Sequence, residues 1–199
     1  YVCDIAVAAR KQGVRTLMIS NGYIQEQPLA DLLTELAAVK VDLKGYTEAF
    51  YKEHCGGELA PVLDTRRRLV KHRTWTEIVT LVIPGQNDAE EENRRLARFV
   101  RDELAPDVPL HFTRFHPSYR LMNLPPTPVA TLDRLRGIAL AEGLRFVYVG
   151  NVPGHAGEHT YCPGCHAIVI RRLGLAVVEN RLQNGACPDC RRSIPGLWS

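Results

Sequence analysis

Four of the six cysteines stand in two Cys-x-x-Cys pairs, Cys162 with Cys165 and Cys187 with Cys190, and 21 residues separate the pairs. Each pair can direct two thiolates at one ion, and four sulfurs at about 2.3 Å complete the tetrahedral shell of a structural zinc site. Because such a shell leaves no position for a substrate, the spacing predicts a structural metal site. All-thiolate ligation favours zinc, with a single iron ion or an iron–sulfur cluster as alternatives.

Residues 162–166 also match Cys-x-x-Cys-His, the attachment signature of c-type haem. We prefer the metal site, because a second Cys-x-x-Cys pair is present and no export signal is recognisable. His155 and His159 precede this segment. The sequence leaves open whether they are further ligands, substrate-facing groups or ordinary loop residues.

A second set of candidate residues follows five short apolar runs. The carboxyl ends of parallel strands gather on one face of an α/β fold, where ligands bind. Taken singly, Asn21-Gly22 is a turn signal, Asp88 a helix cap, Lys44 a solvated lysine and His116 an edge histidine. Their coincidence predicts an active-site face. The segments are Ser20-Asn21-Gly22, Asp42-Leu43-Lys44, Pro84-Gly85-Gln86-Asn87-Asp88, Arg114-Phe115-His116, and Asn151 with His155.

Asp42 and Lys44 stand two residues apart, so on an extended chain their side chains share a face. A carboxylate beside an ammonium group suits a ligand that carries both charges, such as an amino acid moiety.

Alternating strands and helices must position these residues. Apolar runs predict strands over residues 15–20, 39–43, 77–83, 110–115 and 146–150. Helical periodicity covers residues 1–12, 28–38, 47–54, 63–72, 89–104 and 131–142, with Thr131 as the N-cap of the last. This order predicts an α/β fold, an incomplete parallel (β/α) barrel over residues 1–150. From about Asn151 the pattern changes to scattered glycine, histidine and cysteine residues, so residues 151–199 are predicted to form a metal-binding tail of zinc-ribbon or rubredoxin-like layout, with a hairpin at Leu173-Gly174.

Composition is that of an ordinary globular protein. The 199 residues are 45% hydrophobic and 24% charged, with a net charge of +3. That balance argues neither for nor against nucleic acid, because an electrostatic footprint needs basic residues clustered on one face. No apolar run approaches the roughly 20 residues of a membrane span, and no export signal is visible. We therefore expect a cytoplasmic protein with neither a membrane nor a nucleic-acid partner.

The beginning of the chain predicts missing units. Tyr1 stands in a helical stretch without an N-cap, and five strands are too few for an eight-stranded barrel of about 250 residues. We expect the natural chain to begin earlier.

The strand-end segments Ile19-Ser20-Asn21-Gly22, Val41-Asp42-Leu43-Lys44-Gly45, residues 81–88 and Phe115-His116-Pro117 resemble the later part of radical S-adenosylmethionine (SAM) enzymes of the pyruvate formate-lyase activating enzyme group. The tail, residues 148–155 with both cysteine pairs, is similar to the radical SAM enzymes of the AmmeMemoRadiSam system. The resemblance covers essentially the whole chain.

The resemblance implies a partial (β/α)6 barrel and a [4Fe–4S] cluster on a Cys-x-x-x-Cys-x-x-Cys loop, which reduces SAM to methionine and a 5′-deoxyadenosyl radical. It places Ser20 and Asn21 along the SAM site, Asp42 and Lys44 on the methionine part, and His116 near the ribose or adenine. It further implies an electron donor such as flavodoxin or ferredoxin, and a substrate, protein or small molecule, that the sequence does not identify.

The chain departs from that family because it lacks the cluster motif, and we expect this motif and the Gly-Gly-Glu strand end that receives the SAM amino group upstream of Tyr1. Gly56-Gly57-Glu58 spells the Gly-Gly-Glu of the SAM site but follows a predicted helix, so we interpret it as a loop. Cys3 and Cys55 are interpreted as small apolar residues.

Two other functions remain open from sequence. A different α/β-barrel enzyme could use Lys44 as a Schiff-base lysine, a function that a buried lysine with a lowered pKa and no charge partner would favour. A zinc-ribbon binding module could contact nucleic acid through Arg171, Arg172, Arg191 and Arg192.

Overall fold

The computed structural model describes residues 1–198, which divide into two compact units, residues 1–79 and the described residues from 80 onward. The domain boundary predicted near residue 151 stays a prediction. None of the described helices is long and apolar enough to cross a membrane.

The first unit alternates helices with parallel strands. Its elements in chain order are α1 (Val2–Lys11), β1 (Leu17–Ser20), α2 (Glu26–Leu33), β2 (Ala38–Asp42), α3 (Glu48–Phe50) with a π-helical turn (Tyr51–Cys55), α4 (Leu59–Lys71) and β3 (Trp75–Val82), which runs into the second unit. Parallel pairing joins β1 to β2 and β2 to β3. Val39, Val41 and Ile78 are buried in these strands, whereas β1 leaves Leu17 and Ile19 largely exposed.

The second unit continues the α/β order. It contains α5 (Glu90–Phe99) with a π-helical turn (Val100–Leu104), β4 (Leu110–Arg114), α6 (Val129–Ala141) and β5 (Val147–Gly150), which pairs in parallel with β4. A three-stranded antiparallel sheet of β6 (Thr160–Tyr161), β7 (Ile168–Leu173) and β8 (Ala176–Asn180) follows. The expected α/β fold with a parallel sheet and the hairpin at Leu173-Gly174 are confirmed.

Helix boundaries differ from the prediction where capping decides them. Helix α2 ends at Leu33, five residues before the predicted end, and α4 begins at Leu59, four residues before the predicted start. Thr131 is not an N-cap, because α6 begins at Val129 with Pro128 in that position. Asp88 does not cap α5 either; Ala89 holds that position, and the Asp88 carboxylate accepts a hydrogen bond from the Gly85 N–H.

Candidate functional site

The four cysteines Cys162, Cys165, Cys187 and Cys190 converge, and their sulfurs all lie within 4.8 Å of one another. Cys162 and Cys190 are 3.4 Å apart at Sγ, and Cys165 and Cys187 are 3.6 Å apart. Four ligands in a tetrahedron of about 2.3 Å radius stand about 3.8 Å from one another, so these separations fit one metal ion. A four-iron cluster would bond each sulfur to a different iron and hold the sulfurs farther apart.

Two turns with the same backbone hydrogen bonds bring the thiols together. The N–H of Cys162 donates to Ala167 O and that of Cys187 to Arg192 O, each at 2.9 Å. The His166 N–H likewise donates to Cys162 O, and the Arg191 N–H to Cys187 O, each at 2.9 Å.

The residue that closes each of these turns has a left-handed backbone. His166 has φ +61° and Arg191 has φ +62°, a conformation that glycine adopts at little cost and other residues rarely. Because both turns have the same backbone geometry, the backbone as well as the side chains positions the four sulfurs.

The buried half of the centre belongs to a small hydrophobic core. Cys162 and Cys187 are buried, and Cys165 and Cys190 are exposed. Val169, Ile170, Ile194 and Phe146 pack with the buried pair. Since Phe146 immediately precedes β5, the four-cysteine segment is anchored on the α/β part of its own unit.

One thiol of the centre is prepared for metal binding. Burial alone would raise the pKa of Cys162, but hydrogen bonds from the backbone N–H groups of Cys165 and Gly164, together with those from the thiols of Cys190 and Cys187, lower the pKa to about 7. The pKa values of Cys165 and Cys190 are raised instead, so the shift concerns this one thiol. Because the thiolate is the ligand, this shift favours metal binding near neutral pH.

The two histidines before the centre are not ligands in this arrangement. His155 lies 3.1 Å from the Asp133 carboxylate through Nε2 and accepts a hydrogen bond from the Gly157 N–H through Nδ1. The Nδ1 of His159 accepts from the Arg172 N–H. Both rings therefore accept hydrogen bonds from backbone N–H groups of their own unit.

In the first unit, the loop after β1 is a tight turn built by the predicted residues. The Ser20 hydroxyl accepts a hydrogen bond from the Gly22 N–H, and Asn21 Oδ1 accepts one from the Tyr23 N–H. Gly22 has φ +72°, and a Cβ there would lie 2.6 Å from a methyl group of Val41. Glycine is therefore required by both backbone conformation and space.

Asp42 and Lys44 form the expected pair at the carboxyl end of β2. Lys44 Nζ lies 3.0 Å from Asp42 Oδ2, and their side chains are 45% and 35% exposed respectively. Leu43 between them is buried and donates its N–H to Val79 O, which keeps the chain extended. The backbone N–H of Lys44 donates to the Tyr51 hydroxyl.

A cavity of about 400 Å³ lies beside this pair. Burial raises the pKa of Tyr51, and it raises that of the Cys55 thiol against the opposing effect of Lys44, so both groups stay protonated at neutral pH. The lining residues, all in the first unit, are Asn21, Tyr23, Lys44, Tyr51, His54, Cys55, Gly56, Gly57 and Val62.

Sequence reasoning missed the contribution of residues 51–57 to this cavity. Cys55 is exposed there rather than packed in a core, and Gly56 and Gly57 form the expected loop as part of the wall. The available signal was the spacing of His54 and Cys55, three and four residues after Tyr51, in the helical stretch that follows β2. Such spacing brings side chains to one helical face.

Arg66 was also missed. It is fully buried although it begins a run of three arginines that suggests a solvated face. The spacing that could have identified it is Val62, Arg66 and Leu69, all on the buried side of α4.

The remaining predicted strand-end residues lie in the second unit. His116 follows β4 and is exposed, and Asn87 is buried with its Oδ1 accepting from the Ile83 N–H. Asn151, at φ +60°, donates from its amide to Arg114 O. Asn87 and Asn151 thus order their loops. The SAM-binding roles of Ser20, Asn21, Asp42, Lys44 and His116 stay predictions.

Comparison with curated proteins identifies two kinds of relative. An uncharacterised protein of Methanocaldococcus jannaschii is 42% identical over 196 residues, which are 98% of this chain and 58% of that protein. The pyruvate formate-lyase 1-activating enzyme of Escherichia coli K12 is 26% identical over 160 residues, 74% of this chain and 65% of the enzyme. The chain thus spans about three fifths of the length of the curated relatives it matches. No protein-family model matches.

Solved structures share the fold. A domain of the pyruvate-formate lyase-activating enzyme from Bacteroides vulgatus superposes with a TM-score of 0.66 at 16% identity, over 75% of this chain and 89% of that domain. SuiB of Streptococcus suis bound to S-adenosylmethionine gives 0.61 at 11% identity, over 75% and 36% of the two chains. The α/β fold with its parallel sheet resembles a radical SAM partial barrel, and the similarities together support a radical SAM-like family.

Proposed function

We propose that this chain is the C-terminal part of a radical SAM enzyme of the activating-enzyme kind. Its α/β part would hold SAM, and residues preceding Tyr1 would hold the [4Fe–4S] cluster. The observation that carries the proposal is the Asp42–Lys44 pair, 3.0 Å apart at a strand end, whose Lys44 lines a cavity. The AmmeMemoRadiSam assignment, an electron donor such as flavodoxin or ferredoxin, and a cytoplasmic location belong to the same proposal.

The charges of this pair suit the amino acid moiety of SAM. The Asp42 carboxylate can accept hydrogen bonds from an ammonium group, and the Lys44 ammonium can donate to a carboxylate. Because the two side chains already contact each other and are partly exposed, they can exchange their mutual bond for bonds to the ligand. When bound, SAM and the cluster supply a 5′-deoxyadenosyl radical; this chain's residues orient SAM and line the cavity.

The four-cysteine centre, in this proposal, holds zinc and stabilises the tail. The sulfur separations suit one ion, and the closed ligand set leaves no open position. A tail of this size has too small a core to fold well without such an ion.

The alternatives from sequence are less well supported. Lys44 has a charge partner and a half-exposed side chain, whereas a Schiff-base lysine needs a buried site without one. Among the tail arginines, Arg171 pairs with Glu179, and Arg172 donates to Glu158 O and Thr160 Oγ1. These two guanidinium groups are engaged within the tail rather than presented together to nucleic acid.

The test compares this chain with a longer parent that includes a Cys-x-x-x-Cys-x-x-Cys motif. After anaerobic reconstitution, we expect about four irons and four sulfides per parent chain from the cluster, with about one zinc in each protein. The reduced parent should release 5′-deoxyadenosine from SAM. Lys44→Gln should weaken SAM binding, and Lys52→Gln, an exposed lysine of the same unit, is its control. A parent that carries zinc alone would rule the proposal out.

A further inference from the structure

Arg66 is a buried cation whose hydrogen-bonding capacity is largely unused. It has no exposed surface, and Val62 and Leu69 on the same side of α4 are equally buried. Its Nη1 donates to Val62 O, whereas Nε and Nη2 are buried without a hydrogen-bond partner. Buried polar groups are normally paired, and an unpaired buried charge strongly destabilises a fold. This exception therefore suggests a function.

The charges around Arg66 are not balanced by the protein. Burial lowers its pKa to about 10, opposed by Tyr51 and Asp42, so the guanidinium is still charged at neutral pH. Asp42 is the acidic group that acts on it, and that carboxylate is already bonded to Lys44 at 3.0 Å. One carboxylate thus serves two cations.

The unused atoms form one edge of the guanidinium. Nε–H and Nη2–H point in parallel and are the pair that holds a carboxylate by two hydrogen bonds. Val62, which accepts from Nη1, and Tyr51, which acts on its charge, both line the cavity. Arg66 therefore lies next to residues of the cavity wall, and its side chain must turn for the free edge to reach a ligand.

We propose that the cavity of the first unit takes a ligand with a carboxylate group, which Arg66 binds through Nε and Nη2. The further assignment of this ligand as the substrate rests on the proposed function. SAM carries a sulfonium, an ammonium and one carboxylate, a net charge of one. Bound beside Lys44, Arg66 and Asp42, it would leave two positive charges unmatched. The substrate class is then an anionic, carboxylate-bearing molecule.

The first experiment is an NMR titration of this chain with propionate, without SAM, following the amide signals of Gly22, Gly56 and Gly57. Propionamide, of the same shape but uncharged, is the matched ligand. Propionate should bind and propionamide should not. Arg66→Leu should weaken the binding of propionate at least about tenfold. Because it removes an unpaired buried charge, it should also raise the melting temperature of the free protein. Arg67→Leu on the same helix, where Arg67 contacts Asp64, is the control.

Several outcomes overturn the proposal. One is that propionate does not bind, and another is that it binds equally to the Arg66→Leu and Arg67→Leu variants. A third is a lower melting temperature for Arg66→Leu, which would indicate that Arg66 has a structural role. Binding of inorganic phosphate in place of propionate would overturn the carboxylate assignment. If Arg66→Leu does not fold, Arg66→Lys, which keeps the charge but loses the parallel edge, should show the same loss of propionate binding.

Failure here is distinguishable from failure of the proposed function. If propionate binds through Arg66 but the parent releases no 5′-deoxyadenosine, the carboxylate site stands and the radical SAM proposal is wrong. If the parent releases 5′-deoxyadenosine and propionate does not bind, the radical SAM proposal stands and the carboxylate site is wrong.

Discussion

The four-cysteine centre and the cavity beside Lys44 represent opposite ways of building a polar site. In the centre, two turns repeat the same backbone hydrogen bonds and bring four sulfurs within 4.8 Å of one another. Beside the cavity, Arg66 has two unpaired nitrogen atoms and Asp42 alone serves two cations. The first site is complete once it holds an ion and suits a structural role. The second is incomplete without a ligand, as expected of a site that binds and releases one.

Removal of the metal should have the largest effect, confined to the centre. Zinc binding contributes about 10–16 kcal/mol in isolated zinc-finger peptides, so a strong chelator or Cys162→Ser should unfold β7 and β8. Hydrogen exchange of these strands should accelerate while that of β2 is unchanged. Cys3→Ala, outside the centre, is the control. Unchanged protection of β7 and β8 in the metal-free protein would contradict a structural role.

The Asp42–Lys44 pair should show the opposite behaviour, with a small effect on stability and a large one on binding. Partly exposed ion pairs contribute about 0–1 kcal/mol, so Lys44→Gln should shift the urea midpoint little. A charge-assisted hydrogen bond to a ligand contributes about 1.5–3 kcal/mol, which predicts SAM binding weaker by about ten- to hundredfold in the parent. Calorimetry and urea unfolding of one variant test both. A large loss of stability with unaltered binding would make the pair structural.

A third prediction concerns acid stability in the second unit, where Glu142 at the end of α6 receives hydrogen bonds from Arg98 and Arg94 on α5. These bonds lower the pKa of Glu142 from 4.5 to about 2. Since the folded pKa is the lower one, the stabilisation is complete above about pH 4.5 and is lost as the pH falls towards about 2.

Glu142→Gln should remove this part of the pH dependence. Urea unfolding of the wild type and the variant is measured between pH 2 and 6, a range set by the usual and shifted pKa values. The two stability curves should differ by a constant amount above about pH 4.5 and converge as the pH falls towards about 2. Glu103→Gln, in the same unit, is the control. Parallel curves would mean that the arginine contacts contribute nothing to folding.

Local sequence pattern was sufficient to predict part of the fold and part of the candidate site. Alternation placed Asp42 and Lys44 on one face, and ligand spacing identified the four cysteines, because both depend on residues close in sequence or on fixed coordination geometry. Arg66 could not be foreseen in this way. Its burial depends on tertiary packing of α4, and the adjacent Arg67 and Arg68, which have the same local propensity, are solvent-accessible and paired with Asp64 and Glu26.

The two N-cap predictions were wrong for a related reason. Asp88 and Thr131 have the residue types of N-caps, yet Asp88 bonds to the Gly85 turn and Thr131 lies inside α6. A cap needs the right residue at the position where tertiary packing begins the helix, and the residue type alone does not fix that position.

The smallest expected effect comes from the turns of the cysteine centre, where residue type and backbone conformation disagree. His166 and Arg191 hold φ near +60°, which costs a non-glycine residue roughly 1–2 kcal/mol. Glycine removes that strain but loses roughly 0.5–1 kcal/mol through the entropy of the unfolded chain. His166→Gly should therefore stabilise the metal-bound protein by about 1 kcal/mol or less, with the metal content unchanged. A loss of metal in the His166→Gly variant would show that the imidazole, and not the turn, supports the site. Arg191→Gly changes the equivalent turn without removing an imidazole, so it distinguishes the effect of the turn from that of the imidazole.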